Sequence, residues 1–450
     1  MALIELDLTA QPGPAATSLP PARRYRTAGL VLAVALAFVL GGAAAPDAPR
    51  WQFLGAIGSP PIPESPFQLD GDRVYTAGGL GDDRTVSAWS LAKPPVKLWS
   101  VRVPARQIGP DQVAYGDVRA RTAGDVVLIT DGPQTTAVDA RTGATEWHTA
   151  VGVHPLAGDR FGLVQDPKFR PGTDYNQAGG APGDLYFSAT GVPHDEPPVE
   201  TQLRGVDLRT GATAWSASAP GSVVFFDDPS GVVVLASDRL TLLSATTGAV
   251  LRSTALPVLA GQKPRSGRLV GDLVLISYGE DRGDARSLVA YSVRTFQQLW
   301  RVPQAKELVD PGACTGLVCA DAPSGVSVLD PATGRALWHA PGLDLVRLGA
   351  DVLEQDTGTS DAVRVADPVN GNDKLWVKGW HSDLAMADDS PLLLRRTDES
   401  RASVFALVED DPVALRPLGE THGAVGDCAT DSSFVVCRGT GVLQVFSYRG

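Results

Sequence analysis

Three acidic doublets, Asp227-Asp228, Asp388-Asp389 and Asp410-Asp411, are the side chains best suited by type to hold a divalent cation. Calcium takes about six to eight oxygen ligands, and carboxylates supply them. Such doublets are more often solvated turns, and that is the reading adopted. Four cysteines form two local pairs, Cys314 with Cys319 in "GACTGLVCAD" and Cys428 with Cys437 in "GDCATDSSFVVCRG". Each pair fits a disulfide across a tight hairpin, a feature that persists in oxidising compartments. Free or zinc-bound thiols are the alternative, but Cys-x-x-Cys spacing and histidine partners are missing. The six histidines are scattered, and His148 and His339 each follow a tryptophan at a repeated position. G-x-S-x-G, H-E-x-x-H and the phosphate-binding G-x-x-x-x-G-K-[ST] are all absent. No catalytic, cofactor-binding or metal-ligating residue is therefore assigned.

The elements that would position any such chemistry are written in a repeat. "VDARTGATEW" at 138–147 returns as "VDLRTGATAW" at 206–215 and as "LDPATGRALW" at 329–338. Looser copies are "SLAKPPVKLW" at 90–99, "LSATTGAVLR" at 243–252, "YSVRTFQQLW" at 291–300, "ADPVNGNDKLW" at 366–376 and "VEDDPVALR" at 408–416. The final slots are spaced by 48, 68, 37, 48, 38, 38 and 40 residues, which is the mark of repeated units. A β-branched run precedes each copy, as in "DVVLIT" at 125–130, "GVVVLAS" at 231–237 and "DLVLIS" at 272–277, so the units read as strands. Each decapeptide is a hairpin. Asp139, Asp207 and Asp330 cap the turn, and Gly143, Gly211 and Gly334 take its φ > 0 position. The rings of Trp147, Trp215, Trp300, Trp338 and Trp376 pack between neighbouring units. Trp89 and Trp380, outside the slot, are also expected in packing, with a ligand surface as the alternative.

Four antiparallel strands in about forty residues make a propeller blade. The D-x-x-T-G-x-x-x-W hairpin resembles the repeat of quinoprotein dehydrogenases, the pyrroloquinoline-quinone (PQQ) type β-propeller, over about residues 50–448. The resemblance implies an all-β fold of four-stranded antiparallel blades, usually eight, with nine as the alternative. "RWQFLGAIG" at 50–58 is expected to supply the missing strand of the last unit, its Trp51 matching Trp147. Members that are enzymes bind PQQ over a tryptophan floor with calcium or a lanthanide, and commonly carry adjacent cysteines. This chain has none adjacent, and its residues do not match those ligands. No cofactor is expected, and PQQ with Ca²⁺ is the alternative.

Beyond the repeat, residues 1–26 are a polar tail ending in "ARRYR", and 27–46 are uncharged. As a helix that stretch would span roughly 27 Å, close to the hydrocarbon thickness of a membrane. Arg23, Arg24 and Arg26 before it place the tail in the cytoplasm and the rest outside. A cleaved signal peptide, followed by secretion, is the competing reading. The longest interval holds "DPKFRPGTDYNQAGGAPGD" at 166–184 and "ATGVPHDEPPVE" at 189–200, a loop insertion at about 165–200. Its Phe169, Arg170, Tyr175 and Asn176 suit protein recognition, although surface insertions are also simply tolerated. A net charge of −12, with no Lys/Arg run beyond Arg23–Arg26, argues against nucleic acid. The expected function is a membrane-tethered, non-enzymatic binding or scaffold module of the bacterial cell envelope, with a protein or envelope partner. The alternatives are a PQQ-dependent oxidoreductase and a glycan-acting propeller hydrolase.

Overall fold

Leu273–Gly279 is buried at every position, whereas Val250–Ala255 alternates between exposed and half-buried residues. That contrast separates strands covered on both faces from strands at the rim of a sheet. It recurs along the whole chain. The computed structural model describes residues 51–448 apart from 59–65, 80–82, 106, 110–111, 114–117, 181–182, 280–285, 305–313, 323–324, 342, 349, 357–358, 360, 383–391, 398–401 and 411–412. The expected polar tail and membrane helix lie outside these residues. Among the described residues no helix is long and apolar enough to cross a membrane.

The strands form antiparallel meanders in chain order. Unit 1 spans Phe67–Pro104, unit 2 Arg119–Thr149, unit 3 His154–Pro220, unit 4 Val224–Ala255 and unit 5 Lys263–Gln304, each a four-stranded sheet. Unit 6, Cys319–Pro341, and unit 8, Leu393–Ala424, show three described strands each; unit 7, Leu343–His381, shows four, takes Cys314–Thr315 in parallel at its inner edge and is joined to unit 8 through the single His381–Arg395 pairing. The closing unit pairs Cys428–Thr430, Phe434–Arg438 and Val442–Ser447 with Gln52–Gly58 from the start of the chain. The expected N-terminal closing strand is thus present.

Apolar clusters join each unit to the next. Val86 and Trp99 of unit 1 meet Val127 and Ile129 of unit 2, and Leu128 of unit 2 meets Val164 and Leu208 of unit 3. The pattern continues through units 4, 5, 6, 7 and 8. Phe405 of unit 8 then packs on Phe446 of the closing unit, and Leu443 of the closing unit packs on Val74 of unit 1. The circuit is closed, and each unit packs on two neighbours.

The decapeptide supplies the joint. The outer-strand Trp99 lies on Gly143 in the hairpin of unit 2, where a Cβ would sit 2.7 Å from the ring, and its Nε1–H donates to Ala140 O at 3.0 Å. Trp147 docks the same way on Gly211, Trp215 on Gly248, Trp300 on Gly334 and Trp338 on Gly371. Their indoles donate to Leu208, Ala245, Pro331 and Pro368 carbonyls at 2.8, 2.9, 2.8 and 3.1 Å. Only glycine tolerates both the ring contact and the positive φ of about +70° at these turns. Unit 4 carries Arg252 in the slot. It donates to Val293 O at 3.1 Å and lies over Phe296, which holds φ +56° in the glycine's place.

Three slots differ from the sequence expectation. Trp376 is not a joint residue: Leu375 pairs with Val365 and packs inward, and the one extra residue of that copy turns Trp376 outward at 63% exposure. In unit 8 the slot pairing falls on Gly419, not Arg416. In the closing unit it falls on Gly55, not Trp51. Here the two sides of the joint exchange sizes. Trp51 reaches back onto Gly419 and stacks on Phe405 and Phe446 at 5.1 and 4.7 Å, and Pro95 fills the space over Gly55.

Candidate ligand-binding face

An antiparallel four-stranded meander puts alternate connections at opposite ends. The links between first and second strands, and the decapeptide hairpins between third and fourth, fall at one end. The links between second and third strands, and those between units, fall at the other. The hairpin end is short and uniform. Asp139 accepts from the amides of Arg141 and Thr142 at 3.1 and 2.7 Å, and Asp207, Asp330 and Asp367 cap their turns in the same way. The Thr142 hydroxyl and amide hold the Asp139 carboxyl below its usual range, and the Ala332 and Val369 amides do the same for Asp330 and Asp367.

The other end, the loop face, carries the insertion. Phe161–Lys168 and Glu200–Asp207 are paired along their full length, so the inserted segment is 169–199. It is folded. Phe169 stacks flat on the buried His194 at 3.7 Å, and Thr173 Oγ1 lies 3.1 Å from His194 Nδ1. Tyr175 N–H donates to Pro193 O, Asn176 caps a short 3₁₀ turn at Gln177–Gly179, and Tyr186–Phe187 pairs with Pro193–His194. Arg170 forms an exposed ion pair with Glu196 at 3.4 Å. Of the residues singled out for recognition, Phe169 serves the insertion's own packing, Tyr175 is half-buried, and Arg170 and Asn176 are exposed. Sequence reading did not pick out Phe187, Val192 and Val199, whose side chains are exposed on the same segment.

Two clefts flank the insertion on this face. A cleft of ≈ 390 Å³ between units 2 and 3 is lined by Arg119, Arg121, Leu128, Val153, His154 and Pro155. One of ≈ 370 Å³ runs from Tyr186, Pro197 and Pro198 to Val223, Leu235 and Pro264. Partial loss of water around the ring lowers the pKa of His154, which stands edge-on to Phe225 at 5.4 Å, although the residue keeps an exposed surface.

The PQQ_2 family model, described as outer membrane protein assembly factor BamB, matches residues 199–370. Residues 199–370 are thus similar to the PQQ-type repeat, and the described strands form a β-propeller. A crystal structure of a eukaryotic initiation factor shares the propeller's fold at 11% identity, covering 81% of this chain and 91% of that one with a TM-score of 0.51. Sqt1 of Saccharomyces cerevisiae, 12% identical, covers 89% and 97% with a TM-score of 0.41. The Pan2 WD40 domain of Neurospora crassa, 9% identical, covers 90% and 98% at 0.34. No curated protein sequence matches the chain.

Both cysteine pairs of the propeller are disulfides. Cys428 and Cys437 face each other across neighbouring strands, whereas Cys314–Cys319 closes a turn at the entry to unit 6. Trp89 donates to Thr76 Oγ1 at 3.3 Å and Trp380 is buried under Arg396, so both serve packing. Of the acidic doublets, Asp228 caps Ser230, and burial raises the Asp227 carboxyl above its usual range. Asp388, Asp389 and Asp411 lie outside the described residues. Among the described residues no group of three or more His, Cys, Asp or Glu is placed to hold a metal ion.

Proposed function

We propose that this propeller is a binding or scaffold module that works in the bacterial cell envelope and presents its loop face to a protein partner. The observation that carries the reading is the asymmetry between the two ends. One end is a set of short capped hairpins occupied by the joints between units. Clefts open at both ends, but the other end holds a folded insertion with the exposed Phe187, Val192 and Val199. Rigid scaffolds place recognition on such loops. Two disulfides and the likeness of residues 199–370 to an outer membrane assembly factor support an extracytoplasmic site. The closing strand begins at Gln52, paired with Ser447 at the hairpin end. Nine blades go with this reading rather than eight. The eight units and the closing unit each meet two neighbours through a core cluster, and Trp51 and Gly55 act as joints of their own.

The test is site-specific photo-crosslinking in cells, with the reactive residue at Phe187 or Val192 on one face and at Arg141 or Arg209 on the other. Discrete protein adducts from the first pair alone are the expected result. Adducts only from the second pair, or equal adducts from both, would overturn the assignment of the face. The module is also read as cofactor-free. Titration of the full chain with PQQ and Ca²⁺ is expected to give no saturable absorbance change, and a saturable change would make it a quinoprotein.

A further inference from the structure

The first strands of the units sit at the centre of the ring, and their side chains near the turn face the next unit. In unit 1, Gln68 donates to Val118 O at 2.7 Å and accepts from Ala120 N–H. In unit 5, Arg268 donates to Cys314 O and Cys319 O at 3.2 and 3.1 Å. Counted back from the turn, each stands two residues before the last paired position, Asp70 and Val270. The same position in unit 2, where Ala123 is the last paired residue, is Arg121. By this logic Arg121 should be bonded to unit 3. It is exposed instead, as is Arg119 two residues away on the same side of the strand. Among the described residues neither has a hydrogen-bond or salt-bridge partner. Asp227, on the first strand of unit 4, is near enough to feel the charge of Arg121.

The reason is the cleft. The chain enters unit 3 through Gly152, Val153, His154 and Pro155, and these stand off from the strand of unit 2 and leave ≈ 390 Å³ open. Two guanidiniums, an imidazole, Thr130 and the backbone of Gly132 and Gly152 line it, and Pro155 with the edges of the buried Leu128 and Val153 forms a small apolar wall. No carboxylate is among the lining residues, in a chain of net charge −12. Paired arginines are the usual receptors of oxyanions because their N–H groups match two oxygens at once. The volume suits a compact organic molecule.

We propose that this cleft binds a small organic oxyanion, a phosphate monoester or dicarboxylate, whose charge is held by Arg119 and Arg121 and whose carbon body lies on Leu128, Val153 and Pro155. This goes beyond the partner reading and does not depend on it, since the ligand needs no contact with the insertion.

The experiment is calorimetric titration of the full chain with phenyl phosphate and with inorganic phosphate, at constant ionic strength. Saturable binding is expected, tighter for phenyl phosphate because its ring has the apolar wall to cover. Arg119→Ala/Arg121→Ala should weaken both probes by at least about tenfold, and Arg209→Ala at the hairpin end should leave them unchanged. Should the double variant melt at a lower temperature, Arg121→Gln removes the charge and keeps a side chain able to bond the next unit as Gln68 does. It should still weaken phenyl phosphate severalfold. No saturable binding of either probe to the wild-type chain, or affinities unmoved by both sets of substitutions, would overturn the proposal. So would equal affinity for the two probes, because the apolar wall would then have no role. The crosslinking result stands or falls separately.

Discussion

A tryptophan and a glycine thirty or more residues apart are one structural device in this chain. At Gly334, φ is +70° and a Cβ would lie 2.7 Å from the Trp300 ring. Gly334→Ala is therefore expected to cost about 2–4 kcal/mol in urea denaturation, since strain and overpacking act together. The Arg252–Phe296 joint does the same work with different chemistry. In a double-mutant cycle, Phe296→Gly together with Arg252→Trp should be more stable than the sum of the two single changes, because each alone leaves a gap or a clash. The capping aspartates add a pH dependence. Asp139, Asp330 and Asp367 titrate below their unfolded value of about 3.9, so they stabilise the fold above that pH. The contribution is lost as pH falls through the lower folded values. The triple Asp→Asn variant should flatten the stability profile in that acid window and leave its slope, though not its level, unaltered above about pH 5. These positions were legible because a turn needs an acceptor and a positive φ at fixed offsets, and both are written in residue type. Arg119 and Arg121 were not. They alternate with Ala120 instead of forming a run, and their meaning depends on what Arg268 does in another unit.

Strands and hairpins were read well wherever the local pattern decided them, and poorly wherever one residue more or less decided them. The β-branched second strands became the buried centres of their sheets. The Trp376 slot failed because a single added residue moves a side chain to the other face of a strand, and the letters alone do not say where the bulge falls. The closing strand was recognised from its tryptophan, yet the residue in the slot is Gly55, and the large partner stands on the opposite side of the joint. Such an exchange conserves the fit but not the motif. The insertion is an element of its own kind. Its ends are paired from Phe161–Lys168 to Glu200–Asp207, and its interior contacts are mostly with itself. Replacing 170–198 by a short turn should change stability by no more than about 1 kcal/mol in thermal or urea unfolding. The same change should abolish crosslinks from the loop face.

For the molecule as a whole, stability rests on the circuit remaining closed. Trp51 carries much of the last joint: it stacks on two rings, covers Gly419 and donates to Glu420 O at 3.2 Å. Trp51→Ala should cost about 3–5 kcal/mol, and hydrogen exchange should then speed up first in Gln52–Gly58 and Val442–Ser447. The pairing of those two segments also sets an order in time. Gln52–Gly58 leaves the ribosome long before the strand it must join, Val442–Ser447. For the whole interval of translation the earliest strand has no native partner. Throughout it the nascent chain carries two exposed edges ready to pair with any neighbouring polypeptide. Newly made copies should thus stay exposed to proteases and folding factors until Val442–Ser447 has emerged, and become protected once it pairs with Gln52–Gly58.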